Sequence, residues 1–216
     1  MLSPAGRGPA APPGGVDVSV WALRVPGAGA RVAAHRLLRA LLSRQLDVAP
    51  DEIELERERC ERCGGPNGRP AVRGAPDLHF SLSYAGPLAL VALAPAPVGI
   101  DVERPVPGPA WRELSPLLHP TERRELEQAG PGLRARALSR VWTRKEACLK
   151  AIGAGLAHGL SEPYVGAGAW PATPAGWILR DVAIPGGHTA AVALRTEGLS
   201  GPPVGGRRAA LPVRWA

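Results

Sequence analysis

The sequence predicts an α+β fold built from two similar α/β subdomains, and three observations predict it. Short runs such as VDVSVWALRV (16–25) and LHFSLSY (78–84) alternate in polarity, as half-buried strands do. Two longer segments, 31–46 and about 133–152, instead repeat their apolar residues at the helical period. The order strand, helix, strands occurs once in each half of the chain, which suggests an internal duplication.

Each element has its own reason. The first strand, 16–25, ends at a turn over Pro26 to Gly29. A helix over 31–46 follows, with Val32, Leu38, Leu41, Leu42 and Leu46 forming a stripe and Arg36, Arg39 and Arg44 lying off it. Residues 52–58 alternate Ile and Leu with Glu and Arg, a half-exposed strand. The loop CERCGGPNGRP (60–70) leads into three apolar runs, LHFSLSY, LALVALA (88–94) and VGIDVER (98–104), whose lengths suit strands of one sheet. The second half opens after Pro109. It has a helix over 120–128, a longer one from about Leu133 to Ile152 stopped by Gly153 and Gly155, and a hairpin in WILRDVAIPGGHTAAVALR (177–195). The closing strand of that hairpin echoes LALVALA. The expected division is a Pro/Gly-rich tail over 1–15, subdomains over 16–108 and 109–197, and a basic Pro/Gly-rich tail over 198–216.

Composition narrows the function. The chain has 216 residues, of which 45% are hydrophobic, and a chain of this length buries roughly 70% of its unfolded surface. The most apolar stretch, 88–100, is interrupted by Pro95 and Pro97 and is shorter than the ~20 residues of a spanning helix. No membrane segment or signal peptide is expected, and three cysteines fit a reducing, cytoplasmic setting. The net charge is +7, but setting aside Arg7, Arg207, Arg208 and Arg214 leaves 22 basic residues against 19 acidic ones. With so few aromatic residues to stack on bases, nucleic acid is not the expected partner. Of the basic residues, 24 are Arg, and the two lysines, Lys145 and Lys150, stand five residues apart.

Chemistry concentrates in two segments. In VGIDVER, period-2 alternation puts Asp101 and Glu103 on one face, about 6.5 Å apart. That face either meets water or grips a hard divalent cation such as Mg²⁺. In VWTRKEACLKAI (141–152), Leu138, Val141, Trp142, Leu149 and Ile152 share a helix face into which Lys145 projects. Its ammonium must snorkel to the edge of the core or meet an anion inside a cleft. Glu146 and Lys150, one turn apart, form either a surface i,i+4 pair or part of a phosphate site, for which a compact Lys charge suits where the planar Arg fork would not. Cys60 and Cys63 supply a single C-x-x-C pair. Structural zinc takes four ligands, so a loop dithiol is the expected state, with Cys148 and the five His showing no paired spacing that would complete a set.

Together, VGIDVER and WTRKEACLKAIGAGL (142–156) resemble the Sfp-type 4′-phosphopantetheinyl transferases. The resemblance implies two subdomains in pseudo-twofold arrangement with coenzyme A and Mg²⁺ between them, and transfer of 4′-phosphopantetheine to a serine of an apo acyl or peptidyl carrier protein; the duplicated halves suit a monomer. It further implies that Asp101, Glu103 and Glu146 ligate Mg²⁺, and that Lys145 and Lys150 hold the coenzyme A phosphates. Glu122, in HPTERREL (119–126), falls where the family has an acidic residue that activates the serine; the alternative is a helix-N-terminal Glu favoured by the dipole. GRP (68–70) resembles the family's G-K-P and would place Arg69 by the adenine nucleotide. HFSLSYAG (79–86) resembles F-N-x-S-H-S and would place Ser83 and Tyr84 near the phosphates, with Tyr84 standing where His is usual. Arg36 and Arg39 match helix positions that would contact the ribose 3′-phosphate. A coenzyme A-binding homologue without turnover is the alternative that Tyr84 favours.

Overall fold

The computed structural model describes residues 18–105, 111–155, 159–197 and 213–216. The expected N-terminal tail and the 108/109 boundary fall outside these residues. Strand β1 (Ser19–Arg24) leads through a short 3₁₀ turn into helix α1 (Ala30–Leu46). Strands β2 (Leu55–Arg57), β3 (Pro70–Val72), β4 (His79–Ala85), β5 (Leu88–Ala94) and β6 (Val98–Glu103) follow. Then come helices α2 (Trp111–Leu114), α3 (Pro120–Gln128) and α4 (Pro131–Ile152), and strands β7 (Trp177–Asp181), β8 (Thr189–Arg195) and β9 (Arg214–Trp215). The fold is α+β.

Two sheets form, in the orders β2-β3-β4-β5-β1-β9 and β6-β8-β7. The third apolar run, β6, therefore does not join the sheet of β4 and β5 but opens the second one, pairing antiparallel with β8 from Val98↔Leu194 to Glu103↔Thr189. Each half repeats one topology. In the first, β1 and α1 precede β4 and β5, and the last strand, β5, inserts between β4 and β1. In the second, β6 and α4 precede β7 and β8, and the last strand, β8, inserts between β6 and β7.

That central position explains why β5 and β8 read as unbroken apolar runs, since both of their faces are covered. On β5, Ala89, Val91 and Leu93 pack beneath α1, while Leu88, Leu90, Ala92 and Ala94 meet Val98, Ile100, Val102, Val192 and Leu194 of the second sheet. On β8, Ala191 and Ala193 pack under α4 with Val141, Leu149 and Cys148. The layers thus run α1, first sheet, second sheet, α4.

Two expectations are corrected here. The buried stripe of α1 is Ala30, Ala34, Leu38 and Leu42, a strict i+4 series, and Val32 is 57% exposed because it lies off that line. Within the expected C-terminal tail, residues 213–216 are attached to the fold: Arg214 and Trp215 pair parallel with β1, and the Arg214 guanidinium lies over the Trp21 ring at 5.3 Å. None of the helices among the described residues is long and apolar enough to cross a membrane.

Candidate functional site

The site is set by how closely α4 lies on β6. Gly99 makes this possible, because a Cβ there would run into the Ala147 carbonyl oxygen and stand 2.6 Å from the Ala151 nitrogen and 2.9 Å from Lys150 Cβ. With no side chain at Gly99, the last turns of α4 rest on the strand backbone, and Lys150 reaches the next residues of β6. Its Nζ donates to Asp101 Oδ1 (2.7 Å), the Ile100 carbonyl oxygen (3.1 Å) and Ser83 Oγ (3.1 Å).

Strand β4 closes the group from the other sheet. The Ser83 hydroxyl donates to Asp101 Oδ1 (2.9 Å) and accepts from the Val102 N–H (3.2 Å), while Ser81 Oγ accepts from the Ile100 N–H (3.1 Å). Two serines on one face of β4 thus hydrogen-bond to the backbone of β6 where no strand ladder joins the two. Ser83 is buried and fully engaged, so it orients Asp101 and Lys150 rather than standing free for a phosphate.

Asp101 is 2% exposed, and its Oδ2 is buried with no hydrogen-bond partner. Burial first, and then the Asp101 charge, push the Glu103 and Glu146 carboxyls above the usual range. The Trp142 indole donates to Glu103 and opposes that shift, as does Lys150. Three carboxylates with one ammonium leave an excess of negative charge and an orphaned carboxylate oxygen, a donor set that suits a hard divalent cation. Among the described residues, no three His, Cys, Asp or Glu side chains are already gathered as a metal centre.

Beside this group opens a cleft of about 600 Å³, lined by Arg31, His35, Asn67 to Pro70, Tyr84 and Lys150 among others. It joins α1, the β2–β3 loop, β4 and the end of α4. The Arg31 guanidinium lies 5.6 Å from the Tyr84 ring centre, and the Tyr84 hydroxyl is buried without a partner. Burial pushes that phenol further up, so it remains a neutral donor.

Several expected site residues lie elsewhere. Lys145 is fully buried and faces away from the cleft: its Nζ sits 3.0 Å from Glu122 Oε2 and donates to the Pro163 (2.5 Å) and Ser161 (3.3 Å) carbonyls. What separates it from Lys150, which also has three acceptors, is position: the Lys145 side chain is fully buried and off the cleft, whereas that of Lys150 is partly exposed and lines it. The anion that Lys145 meets in the core is the protein's own. Glu122 is equally buried and accepts from the Val165 N–H (2.7 Å) and the His119 N–H (3.1 Å), so its carboxylate closes the capping box of α3 and holds the following loop, and it does not line the cleft. Burial pushes the Glu122 carboxyl up and the Lys145 ammonium down, each opposed by its partner's charge.

Arg36 is exposed and does not line the cleft; Arg31 and His35, one turn apart, do. Arg39 donates to the Pro50 and Ile53 carbonyls. Arg69 does line the cleft, yet its guanidinium is held by Glu58 (2.6 Å) and donates to the Ala151 carbonyl (2.7 Å), capping α4. Its backbone also packs on Gly153, where a Cβ would stand 2.7 Å away at φ +68°.

Sequence reasoning missed Arg144, which is fully buried, pairs with Asp181 (2.6 Å) and donates to the Gly166 and Gly168 carbonyls. With Glu122, Lys145, Glu125 bonding the Ala167 N–H and Arg140 bonding the Ala167 carbonyl, it pins the backbone of 161–168 to α3 and α4.

Comparison with known proteins falls on the same segments. The family model of the 4′-phosphopantetheinyl transferase superfamily matches residues 97–178, which include β6 and α4. The 4′-phosphopantetheinyl transferase AcpT of Salmonella typhi is 34% identical over 127 residues, covering 58% of this chain and 61% of that protein. A 4′-phosphopantetheinyl transferase of Bacillus pumilus is 30% identical, covering 58% and 50%, and Sfp of Bacillus subtilis is 26% identical, covering 57% and 54%. The chain thus spans half to three-fifths of the length of these relatives. The segment matched by the family model contains both VGIDVER and WTRKEACLKAIGAGL.

Proposed function

We propose that this chain, whose residues 97–178 match the 4′-phosphopantetheinyl transferase superfamily, transfers 4′-phosphopantetheine from coenzyme A to a serine hydroxyl of an apo acyl or peptidyl carrier protein. The observation that carries the reading is the Lys150–Asp101 contact of 2.7 Å at the wall of the cleft. It joins the two matched motifs into one anion-handling group. The serine oxygen attacks the β-phosphorus as the bond to the leaving adenosine 3′,5′-bisphosphate breaks. The Lys150 side chain, 31% exposed, brings its ammonium to where it can offset the charge that develops on that leaving group.

Asp101, Glu103 and Glu146 would hold Mg²⁺, which when bound neutralises charge on the pyrophosphate oxygens. Asp101 Oδ2, buried and unpartnered, supports that assignment. Arg31 and Tyr84 offer a cation and a neutral donor to the coenzyme phosphates from the other wall. With Glu122 fully buried and Asp101 nearly so, Glu103 and Glu146 are the partly exposed carboxylates of this group that could take the serine proton. A net positive charge, modest once Arg7, Arg207, Arg208 and Arg214 are set aside, suits an acidic carrier. The same reading expects a cytoplasmic monomer with no nucleic-acid partner.

The test is to incubate apo carrier proteins with coenzyme A, Mg²⁺ and the protein and to weigh the carriers. A phosphopantetheine mass added at the carrier serine supports the reading. Absence of any gain across acyl and peptidyl carriers overturns it, and coenzyme A binding without gain would indicate a binding homologue.

A further inference from the structure

The C-x-x-C turn between β2 and β3 is not used by the proposed chemistry, yet it is built and connected. Cys60 is buried and Cys63 exposed, and both are free thiols. The turn is closed by the Cys60 N–H donating to the Gly65 carbonyl and the Gly64 N–H donating to the Cys60 carbonyl, both at 2.8 Å. The Cys60 sulfur accepts from the backbone N–H groups of Cys63 and Arg62 and hydrogen-bonds with the Cys63 thiol, which holds its titration below the usual thiol range. Among the described residues, no third ligand joins them to make a metal set.

The residue inside the turn links it to the cleft. Glu61 Oε1 lies 3.3 Å from Arg69 Nη2, and Glu61 Oε2 lies 2.5 Å from Arg195 Nη1 at the end of β8. Arg69 in turn caps Ala151 at the end of α4, one residue after Lys150, and the following loop residues Asn67 to Pro70 form the cleft wall. A change in the turn therefore bears on both sheets and on the cleft through one carboxylate.

We propose that Cys60 and Cys63 are a reversible dithiol–disulfide pair, formed by exchange with a small-molecule disulfide, that modulates the cleft through Glu61. The exposed Cys63 thiolate attacks a glutathione disulfide sulfur, the disulfide breaks, and one glutathione leaves as its thiolate. Cys60 then attacks the Cys63 sulfur of the mixed disulfide and releases the second glutathione. The protein loses two electrons and two protons, and one glutathione disulfide becomes two glutathione thiols. Cys148, on the buried face of α4 with its thiol pushed up to about 12, takes no part and serves as an internal control.

The effect on the cleft rests on the coenzyme A reading, whereas bridge formation does not. The full chain is equilibrated in glutathione buffers from reduced to oxidised, trapped with a thiol alkylator and mapped by peptide mass. The expected product lacks two hydrogens, carries a Cys60–Cys63 link with Cys148 unmodified, and reverts with dithiothreitol; Cys60→Ser instead stops at a glutathione adduct on Cys63. Coenzyme A affinity, read by titration calorimetry, should fall roughly threefold on bridging, and Glu61→Gln should abolish that difference while the bridge still forms. A persistent adduct on wild-type Cys63, no reaction, or a bridge that leaves affinity unchanged overturns the proposal. If neither form binds coenzyme A, the functional reading fails instead. The pair is then judged by amide hydrogen exchange at residues 67–69, where faster exchange on bridging supports it and unchanged exchange rejects it.

Discussion

Lys145 Nζ and Glu122 Oε2 lie 3.0 Å apart with both side chains fully buried, so the lysine that sequence assigned to phosphate is an internal partner of the glutamate assigned to proton transfer. Removing one member leaves the other as an uncompensated buried charge, at a cost of ~3–5 kcal/mol. Glu122→Ala and Lys145→Ala should each lower the unfolding free energy by that amount in urea titration, and Glu122→Leu with Lys145→Met should recover most of it. Glu122→Gln keeps an acceptor for the Val165 N–H and should transfer at near the wild-type rate per folded molecule. A ~100-fold loss of rate in well-folded Glu122→Gln protein would return this residue to the chemistry.

Gly99 is the contact point between β6 and α4, and its replacement tests whether that close approach is what assembles the site. Gly99→Ala forces a methyl group into the backbone of α4 at Ala147 and Ala151, neither of which can rotate away. Thermal unfolding should show a loss of ~3 kcal/mol or more, with coenzyme A binding lost in parallel because Lys150 moves off Asp101. An alanine variant with wild-type melting and binding would contradict the packing described.

How far these features were legible in the sequence differs by residue. The likeness of β5 and β8 was, because both occupy a central position and share an unbroken apolar pattern, whereas β6 was read with the first sheet although it pairs with β8 in the second. The meeting of Asp101 with Lys150 was legible as a pair of motifs but not as a contact, since 49 residues separate them and only the missing Cβ of Gly99 lets them touch. Periodicity placed Lys145 on an apolar face correctly. It could not identify the anion, because Glu122 comes from α3, which periodicity marks only as a polar surface helix. The resemblance pointed to Arg36 and Arg39, whereas Arg31 lines the cleft, because which helical Arg faces it depends on the rotation of α1 fixed by Ala34, Leu38 and Leu42.

Lys150 donates to Asp101, Ser83 and the Ile100 carbonyl from a side chain that remains partly exposed. Lys150→Arg keeps the charge but presents a planar fork to three acceptors arranged around a point. Lys150→Ala and Asp101→Asn should each lower the transfer rate by ~100-fold or more, and Lys150→Arg by ~10-fold or more, while circular dichroism remains native. Chelating divalent metal should abolish transfer by the wild type, and restoring Mg²⁺ should recover it. Wild-type rates in Lys150→Ala would remove this residue from the site.

Two histidines make stability depend on pH in a defined direction. Burial first, and then nearby Arg residues, hold His35 and His79 below their usual range; the Arg neighbours are Arg31 and Arg39 for His35 and Arg69 for His79. In the unfolded chain each imidazole takes a proton near pH 6.5, before its folded counterpart does. The unfolded state therefore binds more protons in that window, and their contribution to stability is present above pH 6.5 and lost as pH falls through it. The raised carboxyls of Glu103, Glu122 and Glu146 work in the opposite sense, being favoured as pH falls toward their folded values. The comparison is therefore made between wild type and His35→Gln/His79→Gln. The variant should lose less melting temperature than wild type between pH 7.5 and pH 5.5, and equal losses would show that neither imidazole is held back by its surroundings.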